Sequence, residues 1–202
     1  FLPETIGSIA YCKRRYHALE NVMTGFVITT VGGPDKVSYK QSWDKNHWIN
    51  YLVEKILYCE RKEFITYPFD IHGSDERQYS SPPFRLNTIS IFRSKYYEYP
   101  FYHTSLDNLE FVKVNSIQDS LDDYKNLLME IEKLCFYKRT IKACEPMLSS
   151  KELYPKLGGD KIFKKKEKYN QLDLILWIMF YCDGNTPTLD IARKLKLDIK
   201  SL

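Results

Sequence analysis

The chain has 202 residues, of which 44% are hydrophobic and 28% charged, and its 30 Lys and Arg against 26 Asp and Glu leave a formal net charge of +4. That length suits one large domain, or one domain with a small appendage, and an aromatic content of 15% excludes a disordered chain. So small a charge excess demands neither nucleic acid nor an anionic membrane as partner. No run approaches the roughly 20 apolar residues that span a bilayer, and the start shows no basic segment leading into an apolar one. Cys12, Cys59, Cys135, Cys144 and Cys182 are odd in number and widely spaced, with no CxxC pair. This argues against a disulfide framework or a cysteine zinc knuckle, and for free thiols in a reducing cytoplasm.

In chain order, residues 3–19 read as a turn feeding a helix, with Ile6, Ile9 and Ala10 toward a core and Lys13, Arg14 and Arg15 toward water. Residues 25–31 (GFVITTV) have the β-branched, uncharged character of a buried strand, and the Gly-Gly-Pro-Asp at 32–35 ends it. Trp48, Ile49, Leu52, Val53, Ile56 and Leu57 recur at helical spacing and predict an amphipathic helix over 43–59. Residues 63–67 (EFITY) predict a second strand, 68–83 a polar Pro-rich loop, and 88–92 (TISIF) a third strand. Ser116, with Asp119 three residues on, reads as a capping-box variant. It opens a helix whose apolar face is Ile117, Leu121, Tyr124, Leu128, Ile131 and Cys135. Strands alternating with helices argue for an α/β layered domain over 1–140.

Composition shifts near 140. Residues 141–168, with two Pro, a Gly-Gly pair and the run Lys164-Lys165-Lys166, read as a linker. The run could meet phosphates, but a solvated linker face is the plainer account. Residues 171–182 predict an apolar helix, 183–187 (DGNTP) a turn, and 189–195 a second helix, so 169–202 reads as part of a helix-turn-helix unit.

Two stretches carry candidate chemistry. Asp70, His72, Ser74, Asp75, Glu76, Arg77, Gln78 and Tyr79 follow the second strand, where open α/β sheets place ligand loops. Asp75 is either a site residue or the centre of an Asx-type turn. Beyond the third strand, His103 sits in an aromatic loop (YPFYHTSLDNL) with Asp107 four residues on. A neutral imidazole oriented by a carboxylate is a good zinc ligand, and a surface histidine in a Tyr-rich loop is the plain alternative.

The segments PETIGS (3–8), GFVITTVGG (25–33), GSDERQY (73–79), EYPFYHTSLDNLEFV (98–112) and CEP (144–146), in this order, resemble a bacterial and archaeal family of aminopeptidase-like proteins. That family joins a three-layer zinc-exopeptidase-type α/β domain to a C-terminal winged-helix domain. The resemblance implies that His103 is a zinc ligand, that Glu4 is the general base or a ligand, and that Asp75 and Asp107 support the site from behind. Thr29 or Thr30 stands where related enzymes carry an aspartate ligand, Pro3 replaces one of two acidic residues, and Glu76 replaces a histidine, so one zinc ion is expected rather than two. Two further ligands of the family lie upstream of PETIGS. The chain, opening on Phe1 without Met, is therefore expected to be the C-terminal portion of a longer protein.

The expected function is hydrolysis of an amide or peptide bond in a small peptide or amide-bearing substrate, such as an amino-acid or sugar conjugate. Side-chain chemistry adds Arg77 as an anion-pairing group and Tyr79 as a hydrogen-bond donor to substrate. The alternative is an inactive peptidase-fold scaffold with a winged-helix interaction module. DNA is not expected as a partner, because Asp190 and Asp198 dilute the basic residues of the last helix. Self-association is left open.

Overall fold

A computed structural model describes residues 3–61, 63–154, 169 and 171–198. The chain divides into two compact units, Phe1–Glu132 and Lys133–Leu202. The first is a mixed α/β unit around a four-stranded sheet. Its strands are β1 (Gly25–Phe26), β2 (Ser38–Lys40), β3 (Ile65–Tyr67) and β4 (Thr88–Phe92), in the order β1-β4-β2-β3. β1 is parallel to β4, β2 parallel to β3, and β2 antiparallel to β4.

The central strand β4 is buried at every position, as its apolar run requires. β1 is far shorter than its sequence predicts and is only half-buried. The reason is Tyr124: its hydroxyl accepts a hydrogen bond from the Ile91 N–H (2.9 Å) and donates toward carbonyl oxygens of Ile91 (2.9 Å) and Val27 (3.2 Å). A side chain thus takes over where the β1 backbone leaves the ladder. β2 carries no readable strand pattern, since two of its three residues are polar, yet Ser38, Tyr39 and Lys40 are 2%, 0% and 1% exposed. β3, at the other edge, is mostly exposed.

Helix α1 (Ile6–Arg14) and the single turn α2 (Tyr16–Leu19) occupy the predicted N-terminal stretch, but the expected face is turned away from the core. Ile6 and Ile9 are exposed, whereas Ser8, Cys12 and Leu19 are buried. Cys12 and Leu19 cluster with Leu86, Tyr79 and Phe84. The helical period was right, and its phase was set by where α1 lies on α4 (Glu76–Tyr79), a turn that forms inside the predicted loop. α3 (Trp48–Arg61) buries Trp48, Ile49, Leu52, Val53 and Leu57 as its spacing predicts. α5 (Val114–Glu132) begins before Ser116 and ends before Cys135. It buries Ser120, Asp123, Tyr124 and Leu127, while Ile117, Leu121 and Leu128 stay exposed. Ser116 and Asp119 therefore lie inside the helix rather than at its start, and Asp119 Oδ2 pairs with Arg93 Nη2 at 3.2 Å. The buried polar side of α5 is what joins it to the sheet, with Ser120 Oγ donating to the Val31 carbonyl at 2.9 Å.

In the second unit, β5 (Phe136–Lys138) pairs antiparallel with β6 (Asp183–Pro187). The predicted turn at 183–187 is therefore a strand, and residues 136–138, read by composition with the first domain, belong to the second unit. A 3-10 turn (Leu148–Lys151) follows β5, and helices α6 (Gln171–Tyr181) and α7 (Thr188–Leu195) flank β6. Cys182, Ile191 and Leu195 form the buried cluster, with Tyr169, Ile178, Tyr181 and Leu197 against it. Lys164, Lys165 and Lys166 lie outside the described residues.

Candidate active site

The loop from β3 to α4 is organised by one lysine. Lys40, at the end of β2, has three N–H donors, and each finds an acceptor on this loop. These are Asp70 Oδ1 at 3.0 Å, Glu76 Oε1 at 2.8 Å, and the His72 carbonyl. The rings of Phe69 and Tyr96 flank the ammonium at 5.5 and 5.7 Å. Burial alone would push the Lys40 pKa down, but bonds to Glu76, Tyr96 and Asp70 together raise it above the usual lysine value. Gly73 takes φ 137°, and a Cβ there would lie 2.2 Å from Glu76 Oε1, so the turn over this cation requires glycine.

The aromatic loop between β4 and α5 reaches the same place. The Tyr96 hydroxyl lies 3.4 Å from both Glu76 Oε1 and the His72 carbonyl. Burial, against the opposing effect of Lys40, pushes the Tyr96 pKa up to about 12. From Tyr96 the rings continue to Tyr102 (centroids 6.4 Å apart) and on to His103, stacked on Tyr102 at 4.0 Å. His103 is exposed and holds φ 58°, uncommon for a residue with a side chain.

Glu4 arrives from the N-terminal side. It is exposed, and its charge is felt at Tyr102, whose pKa is raised by burial, then by Tyr97 and Glu4. The next residue, Thr5, donates its backbone N–H to Asp75 Oδ1 at 2.8 Å. Asp75, at the start of α4, is thereby an anchor for the Glu4 segment. The tertiary structure thus sets the Glu4 segment against Asp75 and within electrostatic reach of Tyr102, the neighbour of His103.

Other predicted site residues stand apart from this convergence. Asp107 accepts from the Tyr99 hydroxyl at 2.7 Å, and no bond from His103 to it is formed. Arg77 is exposed and commits Nη1 to the Ile71 carbonyl at 3.1 Å, leaving its other donors to solvent. Tyr79 packs in the Cys12–Leu19–Leu86 cluster; its pKa is raised by burial against a hydrogen bond with Ser8, so its hydroxyl serves α1. Thr30 takes φ 44°, and its Oγ1 is buried without a hydrogen-bond partner among the described residues. Lys40, Glu76 as its counter-ion, and Tyr96 were missed by sequence reasoning. A lone lysine in a Ser-Tyr-Lys strand gives no signal until the fold buries it.

The donor set for zinc is incomplete here. Among the described residues no group of three or more His, Cys, Asp or Glu is placed to hold a metal ion. Asp75 is engaged by Thr5 and Glu76 by Lys40. His103 and Glu4 are the exposed donors at the convergence, short of the three protein ligands that a catalytic zinc site takes.

The first unit is a mixed α/β unit with peptidases among its structural neighbours, and a winged helix-turn-helix follows it. Residues 1–133 match the family described as domain of unknown function (DUF4910), and the chain belongs to that family; residues 135–202 match a winged helix-turn-helix family. A Clostridium acetobutylicum protein whose name proposes polysaccharide biosynthesis, with an aminopeptidase-like domain, is 34% identical over the whole chain, which spans 45% of that relative's length. A crystal structure from the same organism, whose name proposes a peptidase, superposes with a TM-score of 0.66 at 32% identity, covering 98% of this chain and 43% of that one. An aminopeptidase from Aneurinibacillus sp. strain AM-1 superposes with a TM-score of 0.50 at 13% identity, over 62% of this chain and 30% of its own, a likeness of fold alone.

Proposed function

We propose that the full-length protein is an aminopeptidase-like hydrolase of amide or peptide bonds, acting on a small peptide or amide-bearing conjugate, and that this chain supplies one wall of its active site. The observation that supports this reading is the convergence of Glu4, anchored through Thr5 on Asp75, with the Tyr102–His103 pair. An exposed carboxylate and an exposed imidazole are the groups that amide hydrolysis uses for proton transfer and metal binding. Glu4 takes the proton from the attacking water and passes it to the leaving amine. Arg77 offers its uncommitted donors to a substrate carboxylate or the developing oxyanion. Tyr79 supports α1 behind this wall and does not reach substrate directly.

Zinc, when bound, lowers the pKa of a coordinated water to about 7 and polarises the scissile carbonyl. His103 is the ligand we assign to this chain, with the remaining ligands from outside the described residues. The last helix does not look built for DNA: Asp190 pairs with Arg193 at 2.7 Å and Lys194 at 2.8 Å, drawing their charge inward. Among the described residues no helix is long and apolar enough to cross a membrane. All five cysteines are free, and we place the protein in the cytoplasm.

The test uses the full-length protein. Hydrolysis of a panel of aminoacyl amides should be lost by about 10²–10⁴-fold in kcat for Glu4→Gln, and zinc stoichiometry should fall in His103→Ala. Unchanged turnover in the first variant, or unchanged zinc in the second, would contradict the corresponding assignment.

A further inference from the structure

We propose that Lys40 is a positioning residue. From inside the first unit it sets the spacing between the Glu4 side and the His103 side of the site, by holding the Gly73 turn and the two acceptors, Glu76 and the His72 carbonyl, that the Tyr96 hydroxyl faces. Its consequence for turnover rests on the hydrolase reading, but its geometry does not.

Two arms leave this cation. Along one, Lys40 holds Glu76, the neighbour of Asp75, and Asp75 holds the backbone of Thr5 beside Glu4. Along the other, Glu76 and the His72 carbonyl, both held by Lys40, meet the Tyr96 hydroxyl, and the ring contacts from Tyr96 through Tyr102 end on His103. All three lysine donors are used within residues 70–76, so the ammonium fixes that loop in three directions and has no rotamer to spare. The clamp is also crowded. A Cβ on Gly73 would lie 2.7 Å from the Tyr96 oxygen and 3.0 Å from Lys40 Nζ, so the loop cannot sag toward the cation without a collision. The charged groups facing Lys40 are Glu76, 2% exposed, and Asp70, 45% exposed; Lys95 lies on the ring of Tyr96 at 5.6 Å. A buried ion pair that served only stability needs no link to an exposed aromatic loop. This one has such a link, made by Tyr96 through its hydroxyl and its ring.

The distinguishing variant is Tyr96→Phe, which keeps the ring and deletes the hydroxyl. The second is Lys40→Met/Glu76→Leu, which removes the buried charges as a pair and so avoids leaving one unpaired. The control is Tyr124→Phe, which removes another buried hydroxyl from the same unit. The readout is the His103 imidazole proton resonance of the full-length protein, assigned with His103→Gln. Its stacking on Tyr102 places it in that ring's field. Tyr96→Phe and the double variant should shift it toward the position of a free histidine, while Tyr124→Phe leaves it unmoved. In turnover, Tyr96→Phe should lower kcat about 10- to 100-fold with KM changed less than about twofold, as displaced catalytic groups do. An unmoved His103 resonance in Tyr96→Phe, or an equal shift in Tyr124→Phe, overturns the proposal. A wild-type protein that hydrolyses no amide in the panel refutes the hydrolase reading alone, and the resonance still decides the clamp.

Discussion

Replacing Lys40 by Met deletes the cation and leaves Glu76, 2% exposed, as a buried carboxylate bonded only by the Ser74 N–H (3.1 Å) and the distant Tyr96 hydroxyl. Asp70 is 45% exposed and regains water, so the penalty falls on Glu76. Breaking a buried pair from one side costs about 3–5 kcal/mol. Removing both charges with apolar groups of similar volume is close to neutral, so Lys40→Met/Glu76→Leu should recover most of the loss. Amide hydrogen exchange is the suitable assay, because peptides covering β2 and β4 report the first unit without the second. At about 1.4 kcal/mol per tenfold, Lys40→Met should accelerate exchange there by about 10²–10⁴-fold, and the double variant by about tenfold or less. Acceleration below tenfold in Lys40→Met would mean that water reaches the Glu76 carboxylate, and would refute the account of the loop as held by one desolvated cation. A double variant as labile as the single one would refute the pairing argument.

Tyr124→Phe should destabilise the first unit by about 1–3 kcal/mol in urea unfolding, because the buried Ile91 N–H loses its acceptor. Gly73→Ala should cost about 1–3 kcal/mol from its left-handed backbone, with more from the collision with Glu76, read as a lowered urea midpoint. The pH dependence is alkaline. The folded-state pKa values of Tyr96 (about 12) and Lys40 lie above their unfolded values of roughly 10 and 10.4. Their contribution is therefore complete below about pH 10, and the Tyr96 share is lost as pH rises through about 12, so the urea midpoint should fall on the alkaline side. A fall beginning near neutrality would contradict this. In alkylation followed by mass spectrometry, exposed Cys59, Cys135 and Cys144 should label quickly. Cys12 should label slowly, since burial and then Asp75 raise its thiol pKa; Cys182 should do the same, through burial and then Asp183.

The elements legible in the sequence were those whose burial is apolar. β4 and the buried face of α3 follow from hydrophobic runs and spacing, because water exclusion acts on each residue in proportion to its own surface. The motifs around Asp75 and His103 were legible as clusters of reactive side chains, and Glu4 entered through the resemblance. Their mutual placement was not legible, since it depends on one backbone N–H of Thr5 meeting Asp75 across 70 positions. Phase was the weakest reading. α1 and α5 have the expected helical period, but each buries a different face, because polar residues such as Ser8 and Ser120 find partners inside.

By itself, then, the sequence determined an α/β chain with a second helical unit, the positions of its apolar core segments, and the two loops that hold its chemistry. The tertiary structure alone decided that β2 exists, that β1 stops at Phe26, and that a lysine without any motif sits beneath both loops. The physical reason is that a buried charge is tolerated only where its partners are already gathered. Lys40, the Asp70–Glu76 loop and Tyr96 come from three places in the chain. Their worth as a group appears only when folding removes the water between them.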